Sequence, residues 1–196
     1  MLSRSPVSVS RVGVDDEQAF APLWIESRVA VGQTADWARR AVREGRIRDA
    51  LLRDDIRIYV AKADGAQLGF VVVTHSPLSG LNDDAAAWID QLWVDPAHRR
   101  TGVARELLRM AARYAEYIGA NQLVSCVPAQ EKDSNRYFAR LGFAPSVTSR
   151  STSPGALRRR LAGDEQESTS EAVVRRRRSL RARTAARVGL ARGTGI

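Results

Sequence analysis

Apolar residues along the first half of the chain follow two spacings, and the change between them predicts the order of elements. They alternate with polar residues from Val7 to Val12, as in a strand, and then recur at helical intervals between residues 15 and 52. Alternation returns from Ile56 to Ala63 and again from Gln67 to Thr74. Between these two strands lies Asp64-Gly65, a hairpin turn because both residues tolerate positive φ.

The second half alternates strands with helices. A polar, Gly- and Pro-containing stretch at 76–84 predicts a loop. The elements predicted after it are a strand from Ala85 to Val94, a helix from Gly102 to Ile118, a strand from Leu123 to Val127, a helix from Ser134 to Leu141, a strand from Phe143 toward Val147, and a short helix near residues 157–161 capped by Ser153-Pro154. The long helix is the clearest, since its apolar residues trace one face and Gly119 can end it.

This order predicts an α/β fold: a mixed central sheet flanked by helices, with a meander in its first half and a crossover in its second. Residues 1–162 are expected to form one domain. Residues 163–196 begin with a polar run that predicts a linker, so we expect a separate tail, either flexible or helical.

Charge is concentrated in the tail. From Arg150 onward there are twelve arginines and four acidic residues, which accounts for +8 of the net +9, so the body is nearly neutral. The run Arg175 to Arg178 could bind nucleic acid or an anionic membrane by charge, but no aromatic residues interleave with it to stack on bases. A solvated tail is the alternative.

The cellular setting is predicted from cysteine use and hydropathy. The single cysteine, Cys126, lies in an apolar run and is expected to be a buried small hydrophobe. It has no partner for an internal disulfide, and no signal peptide is visible, so a reducing cytoplasm is the expected location. The apolar stretches are too short to span a bilayer.

The segment Trp88 to Ala104 carries the main functional signal. A strand leads through a short turn into the N-terminus of the long helix, where backbone N–H groups are unpaired and the helix dipole is positive. Gly102 and Ala104 leave room for an anion, and Arg99 and Arg100 add positive charge. These features indicate a pyrophosphate-binding loop. The alternative is an ordinary strand–helix junction.

The order of residues in this segment resembles the GNAT family of N-acetyltransferases. Arg99-Arg100-Thr101-Gly102-Val103-Ala104 matches the family's acetyl-CoA motif, [Q/R]-x-x-G-x-[G/A], and Leu92-x-Val94-Asp95-Pro96 precedes it as is typical there. Asn135 to Phe143, ending in Leu-Gly-Phe, is similar to the family's later motif. The resemblance covers residues 7 to 150 and implies the GNAT fold with acetyl-CoA as cosubstrate. The Arg-rich end resembles those of actinobacterial acetyltransferases.

The resemblance implies roles for particular residues. Backbone groups of Leu92, Trp93 and Val94 would bind the pantetheine and the acetyl carbonyl where this strand splays from its neighbour. Backbone amides of Arg99, Arg100, Thr101, Gly102, Val103 and Ala104 would hold the pyrophosphate. Asn135 and Phe138 would flank the thiol. The implied reaction is direct attack of an amine on the thioester, with the oxyanion stabilised by backbone N–H near Val94.

The chain departs from the family at the expected proton donor. A tyrosine normally stands four residues before the Gly of Gly-Phe, where this sequence has Phe138. Tyr137 is adjacent, but one residue on a helix rotates the side chain by about 100°. Tyr137 is therefore either the proton donor for the thiolate or a packing residue, and solvent could protonate the sulfur instead.

Asp90 is the first candidate for the base, because a carboxylate inside an otherwise apolar strand is costly and is expected to have a function or a partner. Strand alternation places it on one face with Trp88, Leu92 and Val94. Its function would be that of a base, acting through water, or of an anchor for a cationic acceptor; pairing with an arginine is the other explanation. Glu26 and Glu131 are less specific candidates. His75 and His98 lack metal-ligand spacing, and His98 is expected to be solvated, so no metal site is predicted.

The predicted partner is an amine acceptor, either a small molecule or a protein. Residues 20–55 and the loop at 76–84 should determine its identity, and acidic residues are sparse in both. The sequence leaves open a weak contact of the tail with nucleic acid and a homodimer. The alternative function is a CoA-binding GNAT-fold module with weak or no catalysis, tethered to nucleic acid or the ribosome by its tail.

Overall fold

The computed structural model describes residues 6–77, 85–128, 130–146 and 151–162. The chain forms two compact units, Met1–Tyr137 and Phe138–Ile196. The loop predicted at 76–84 begins two residues too early, because Ser76 and Pro77 belong to a strand. Its residues 78–84 and the predicted tail at 163–196 lie outside the described residues. The division into a domain at 1–162 and a tail therefore stays a prediction.

Besides a last helix at residues 154–162, the described residues form five strands and five helices in the order that the hydrophobic pattern indicates. They are β1 (Ser8–Arg11), α1 (Glu17–Ala30), α2 (Ala35–Arg43), α3 (Arg46–Leu51), β2 (Ile56–Ala63), β3 (Ala66–Pro77), β4 (Ala85–Val94), α4 (Val103–Tyr117), β5 (Gln122–Ser125) and α5 (Lys132–Arg140). Short 3₁₀ helices precede α1, at Val14–Asp16, and α4, at Pro96–His98.

The sheet is mixed, as predicted. Its strand order is β1-β2-β3-β4-β5, with antiparallel pairing from β1 to β4 and parallel pairing of β4 with β5. A parallel neighbour requires a crossover, and α4 supplies it between β4 and β5. The meander and the crossover are both confirmed.

Helices bury both faces of the sheet. On one face, Phe20 and Trp24 of α1 belong to a core with Ile58, Phe70 and Trp93 of the strands; we call this the α1 face. On the other face, α4 packs against β2, β3 and β4. Its residues Val103, Leu107, Ala111 and Tyr114 are buried along the predicted stripe.

Local sequence signals set the turns. Asp64 and Gly65 have φ of 51° and 78°, as the hairpin between β2 and β3 requires. Thr34 caps α2 by accepting a hydrogen bond from the Trp37 amide at 3.2 Å. Gly119 follows α4 with φ of 69°, so it ends this helix as predicted.

Two predictions for this region are wrong. Cys126 is exposed, because β5 ends at Ser125 and the cysteine follows it outside the sheet. Residues 143–146 are irregular, so the described part of the chain contains no strand after α5, and residue 147 lies outside it. The structure confirms the last short helix at residues 154–162, where the Ala156 amide donates to Ser153 Oγ at 3.2 Å.

No helix within the described ranges is long and apolar enough to cross a membrane.

Candidate functional site

Strand β4 loses one of its two neighbours halfway along its length. It pairs with β5 from Ala86 to Ile89, and the pairing stops at Ile89 and Ser125. Beyond that point β4 continues to Val94 beside β3 alone. Residues 90–94 therefore have an edge without a described strand, and backbone groups on that edge can bind an extended ligand. Leu92, Trp93 and Val94 all lie on this splayed part of β4.

A β-bulge at Asp90 marks the start of the splayed part. Val72 lies opposite Gln91 and Val73 lies opposite Ile89, so Asp90 is an extra residue in β4. A bulge reverses the alternation of side chains beyond it. Asp90 and Gln91, neighbours in the chain, therefore both face α1.

The bulge overturns one part of the predicted arrangement. Trp88 lies opposite Thr74 and shares the α1 face with Asp90. Leu92, however, lies opposite Val71, on the face that packs against α4. The prediction that Asp90 shares a face with Leu92 and Val94 is wrong, because it assumed a strand without a bulge.

The Asp90 carboxylate accepts a hydrogen bond from the Thr74 side chain and forms no ion pair with any described residue. Asp90 is exposed, yet the protein atoms around its carboxyl raise its pKa by desolvation. The bond from Thr74 and the charge of Arg53 oppose this rise without cancelling it. Arg53 is itself paired with Asp55, at 2.5 Å, so it does not neutralise Asp90. A desolvated carboxylate of raised pKa is a suitable base.

The turn after β4 is fixed by its own hydrogen bonds. Asp95 accepts from the Ala97 amide at 2.9 Å and lies 3.0 Å from the His98 ring, so His98 is paired rather than simply solvated. The Ala97 bond lowers the pKa of Asp95, with a smaller effect from His98. Thr101 Oγ1 donates to the His98 carbonyl at 2.6 Å. These bonds hold the start of the loop in place before any ligand binds.

Six consecutive backbone amides, from Arg99 to Ala104, donate to no described group. Arg100 and Gly102 both have positive φ, 62° and 93°. Left-handed conformation is unfavourable for arginine, and strain of this kind is typical of functional loops. The amides at the first turn of α4 also meet the positive end of the helix dipole. The loop therefore has unpaired backbone donors beside the start of α4, and its binding of an anion stays a prediction.

The space beside the loop can accommodate a bulky group. A Cβ atom built on Gly102 would meet nothing within 4 Å. A cavity of about 730 Å³ is lined by Thr101 and Gly102 on one side and by Ala63 and Asp64 of the β2–β3 hairpin on another.

Gly69 brings β3 unusually close to the splayed part of β4. It lies opposite Val94, and a Cβ atom there would be 2.5 Å from the Trp93 carbonyl oxygen. Only glycine permits this approach. The isolated glycine inside an apolar strand was visible in the sequence, but its partner on β4 was not.

A second feature that sequence reasoning missed is Arg28 of α1. Its Nη2 donates to Gln91 Oε1 at 3.1 Å, and its guanidinium lies over the Trp24 ring, 5.8 Å from the centroid. Trp24 in turn stacks on Trp37 of α2, at 6.2 Å. Partial burial lowers the pKa of Arg28, but a guanidinium remains charged. The chain thus places a fixed cation beside the bulge.

The residues predicted on α5 differ in their exposure, and Asn135 is exposed. Asn135 Nδ2 donates to the carbonyls of Pro128 and Glu131 at 3.0 and 2.9 Å, so this amide braces the start of α5. Tyr137 is partly buried. In the second unit, Phe138 is buried and packs edge-on against Phe143, with ring centroids 5.0 Å apart. The predicted contacts of these residues with a cofactor stay predictions.

The less specific carboxylates have ordinary surroundings. Glu26 is exposed on α1, and Glu131 accepts a bond from Ser134 Oγ at 3.3 Å. Among the described residues, no group of three His, Cys, Asp or Glu could hold a metal ion.

Comparison with known proteins gives this arrangement a context. Residues 18–143 match the model of the acetyltransferase (GNAT) family. An uncharacterized N-acetyltransferase of Methanocaldococcus jannaschii is 29% identical over 91 residues, which is 46% of this chain and 40% of the relative. The matched part therefore spans less than half of that relative's length.

Solved structures agree in fold. A ribosomal-protein-alanine N-acetyltransferase from Brucella melitensis biovar Abortus aligns with a TM-score of 0.61 and 22% identity, over 76% of this chain and 99% of that one. An aminoglycoside N-acetyltransferase solved in complex with CoA aligns with a TM-score of 0.64 and 18% identity, over 78% of this chain and 97% of that one. At these identities the likeness concerns the fold.

Proposed function

Because the chain belongs to the acetyltransferase (GNAT) family, we propose that it transfers an acetyl group from acetyl-CoA to a primary amine. One observation carries the proposal: a strand that loses its neighbour at Ile89 leads into six amides, Arg99 to Ala104, that have no described acceptor. Such an arrangement suits a ligand with an extended amide-bearing arm and a pyrophosphate, as CoA has.

The residues present fit acetyl-CoA. Pantetheine carries two amides, which can pair with the unpartnered edge of β4 at Leu92 and Val94 as an added strand would. The pyrophosphate matches the amides of the loop, where Arg100 and Gly102 already adopt positive φ. The Arg99 side chain donates to the Val94 carbonyl at 3.3 Å, so it ties the loop to the end of β4.

Asp90 is the proposed base. The acceptor arrives as an ammonium ion and must lose a proton before its nitrogen can attack the thioester carbonyl. Asp90, directly or through a water molecule, takes that proton, and its raised pKa makes it a stronger base than an ordinary carboxylate. The new C–N bond forms as the C–S bond breaks. A backbone N–H near Val94 stabilises the oxyanion in between.

The leaving thiolate needs a proton, and Tyr137 is the proposed donor. Phe138, which occupies the position expected for a tyrosine, cannot supply one. Changing Tyr137 to Phe separates this role from packing. Loss of turnover, with a change in the alkaline limb of the pH–rate profile and unchanged thermal stability, identifies a donor. An unchanged profile assigns protonation to solvent.

The proposal is tested by following thiol release from acetyl-CoA with a panel of amines. Asp90→Asn should lower kcat/KM by about 100-fold or more, as expected for loss of a general base, and should leave CoA affinity unchanged. Asp15→Asn is the matched control, since Asp15 is an exposed aspartate outside the site. Tight CoA binding without turnover of any amine would contradict the enzymatic function and favour a CoA-binding module.

The raised pKa of Asp90 also predicts how Asp90→Asn changes the stability of the folded protein. The folded pKa of Asp90 lies above its unfolded value, so the folded protein binds this proton more tightly. The contribution to stability is present below the unfolded pKa and is lost as pH rises through the folded pKa. Near pH 7 the variant should therefore unfold at no lower urea concentration than the parent. A marked loss of stability would assign Asp90 a structural role.

A further inference from the structure

Arg28 has an arrangement that the proposed reaction does not use. Its Nη2 donates to Gln91 Oε1 at 3.1 Å, its Nε lies 3.4 Å from Ser27 Oγ, and its guanidinium carbon lies 5.8 Å from the centroid of the Trp24 ring. These three contacts hold the guanidinium in place, and Arg28 is only partly buried. Three contacts with neutral groups orient the side chain and leave its charge uncompensated.

No described carboxylate pairs with Arg28. This is unusual for a half-buried arginine, because removing a charge from water is costly unless an opposite charge approaches it. The other arginine near the bulge, Arg53, does have such a partner in Asp55. The Arg28 guanidinium is therefore held in place, positively charged and partly accessible. These are the properties that recognition of a carboxylate requires.

The bulge brings this cation next to the proposed base. Gln91, which Arg28 contacts, follows Asp90 directly, and both side chains face α1 because Asp90 is the extra residue of β4. An acceptor whose amine lies at Asp90 therefore has Arg28 within reach of its neighbouring atoms. In a molecule whose ammonium and carboxylate groups are a few bonds apart, the ammonium would face the Asp90 carboxylate and the carboxylate would face the Arg28 guanidinium.

We infer that Arg28 binds an anionic group of the acceptor, and that the acceptor is an amine bearing a carboxylate. The inference rests on the proposed acetyl transfer and adds the substrate class. It separates this chain from an enzyme for polycationic amines, which would place a further positive charge against Arg28.

The test compares acids with their neutral amides. Turnover is measured with glycine, β-alanine, 4-aminobutyrate, lysine and phenylalanine, with the amide of each, and with the aminoglycoside kanamycin. Rates are corrected for the fraction of free amine. In parallel, tryptophan fluorescence of the CoA-saturated protein gives dissociation constants for the N-acetylated products and their amides. The binding arm yields a result even where turnover is slow.

Arg28→Gln removes the charge and Arg28→Lys restores part of it. Arg46→Gln is the matched control, because Arg46 also lies over a tryptophan, Trp37, at 5.5 Å, but makes no hydrogen bond to the described residues of β4. A charged hydrogen bond is worth about one to two powers of ten in affinity. We expect at least one acid to be preferred over its amide by about 10- to 100-fold. Arg28→Gln should abolish this preference through KM, with Arg28→Lys intermediate and Arg46→Gln like the parent.

Three results would count against the inference. They are equal use and equal binding of acids and amides by the parent protein, a preference for acids that survives Arg28→Gln, and a preference for kanamycin over every acid. None of these affects the proposed acetyl transfer. That proposal fails on a different result, namely CoA binding without turnover of any amine, acid or amide.

Discussion

The contact between Gly69 and the splayed part of β4 allows a prediction with a magnitude taken from the structure. The change is Gly69→Ala. The new Cβ atom would lie 2.5 Å from the Trp93 carbonyl oxygen and 3.0 Å from Val94 Cα, whereas ordinary contact begins at 3.4 Å. Both opposing atoms are backbone, so no side chain can turn away. The strands must separate by about 0.9 Å, the difference between 3.4 and 2.5 Å.

This separation has a calculable cost. The bond from the Asp95 amide to the Leu68 carbonyl, now 2.9 Å, lies beside Gly69 and would lengthen beyond about 3.5 Å, where it is no longer a hydrogen bond. Its loss costs about 1 kcal/mol, and overpacking a tight site adds about 1–2 kcal/mol. We expect Gly69→Ala to lower the free energy of unfolding by about 2–3 kcal/mol.

Urea unfolding measures this loss, and calorimetric titration with CoA measures its effect on the site. Moving Val94 should weaken CoA binding by about tenfold, the equivalent of one hydrogen bond. Gly13→Ala is the matched control, because Gly13 has φ of −95° and its Cβ would meet only Asp16 Oδ2, at 3.6 Å. If the two variants unfold within about 0.5 kcal/mol of each other and bind CoA equally, this reasoning is refuted.

Further predictions concern the loop and the base. Gly102→Ala should lower the free energy of unfolding by about 1 kcal/mol, because alanine is strained at positive φ and not because its Cβ collides with a neighbour. Gly102→Asn should lower it less. Equal thermal stability of the parent and the two variants would contradict this. Asp95→Ala should cost about 1 kcal/mol at pH 7 through the lost cap. Because the folded pKa of Asp95 is lowered, that stability is present above the unfolded pKa and lost as pH falls through the folded one, so urea unfolding at low pH should no longer distinguish the variant. The rate should rise with pH through the raised pKa of Asp90, and a flat pH–rate profile would exclude it as the base.

Features that depend on neighbouring residues in the chain could be predicted from the sequence. Asp64-Gly65 makes the hairpin because the turn needs positive φ at both positions, whatever surrounds it. The helix α4 follows from its apolar stripe and from Gly102 and Gly119 at its ends. The unpaired amides of Val103 and Ala104 belong to the same class, since they result from the start of a helix.

Features that depend on strand pairing could not be predicted from the sequence. The bulge at Asp90 is set by the register between β3 and β4, and no residue type in β4 indicates its position. Without the bulge, the face of Leu92 is assigned wrongly and Gln91 points away from α1, so Arg28 has no visible partner. Cys126 was misplaced for a similar reason: an apolar run predicts burial, but β5 ends one residue too early for Cys126 to enter the sheet.

The central claim is that the amides of Arg99 to Ala104 form the binding site for the CoA pyrophosphate. Residue-resolved hydrogen exchange by NMR tests it directly, because these amides have no described acceptor and should exchange quickly in the free protein. Saturation with CoA should slow their exchange by about tenfold or more, with amides at the middle of α4 as the internal reference. Binding of CoA that leaves these six amides unprotected would contradict the claim.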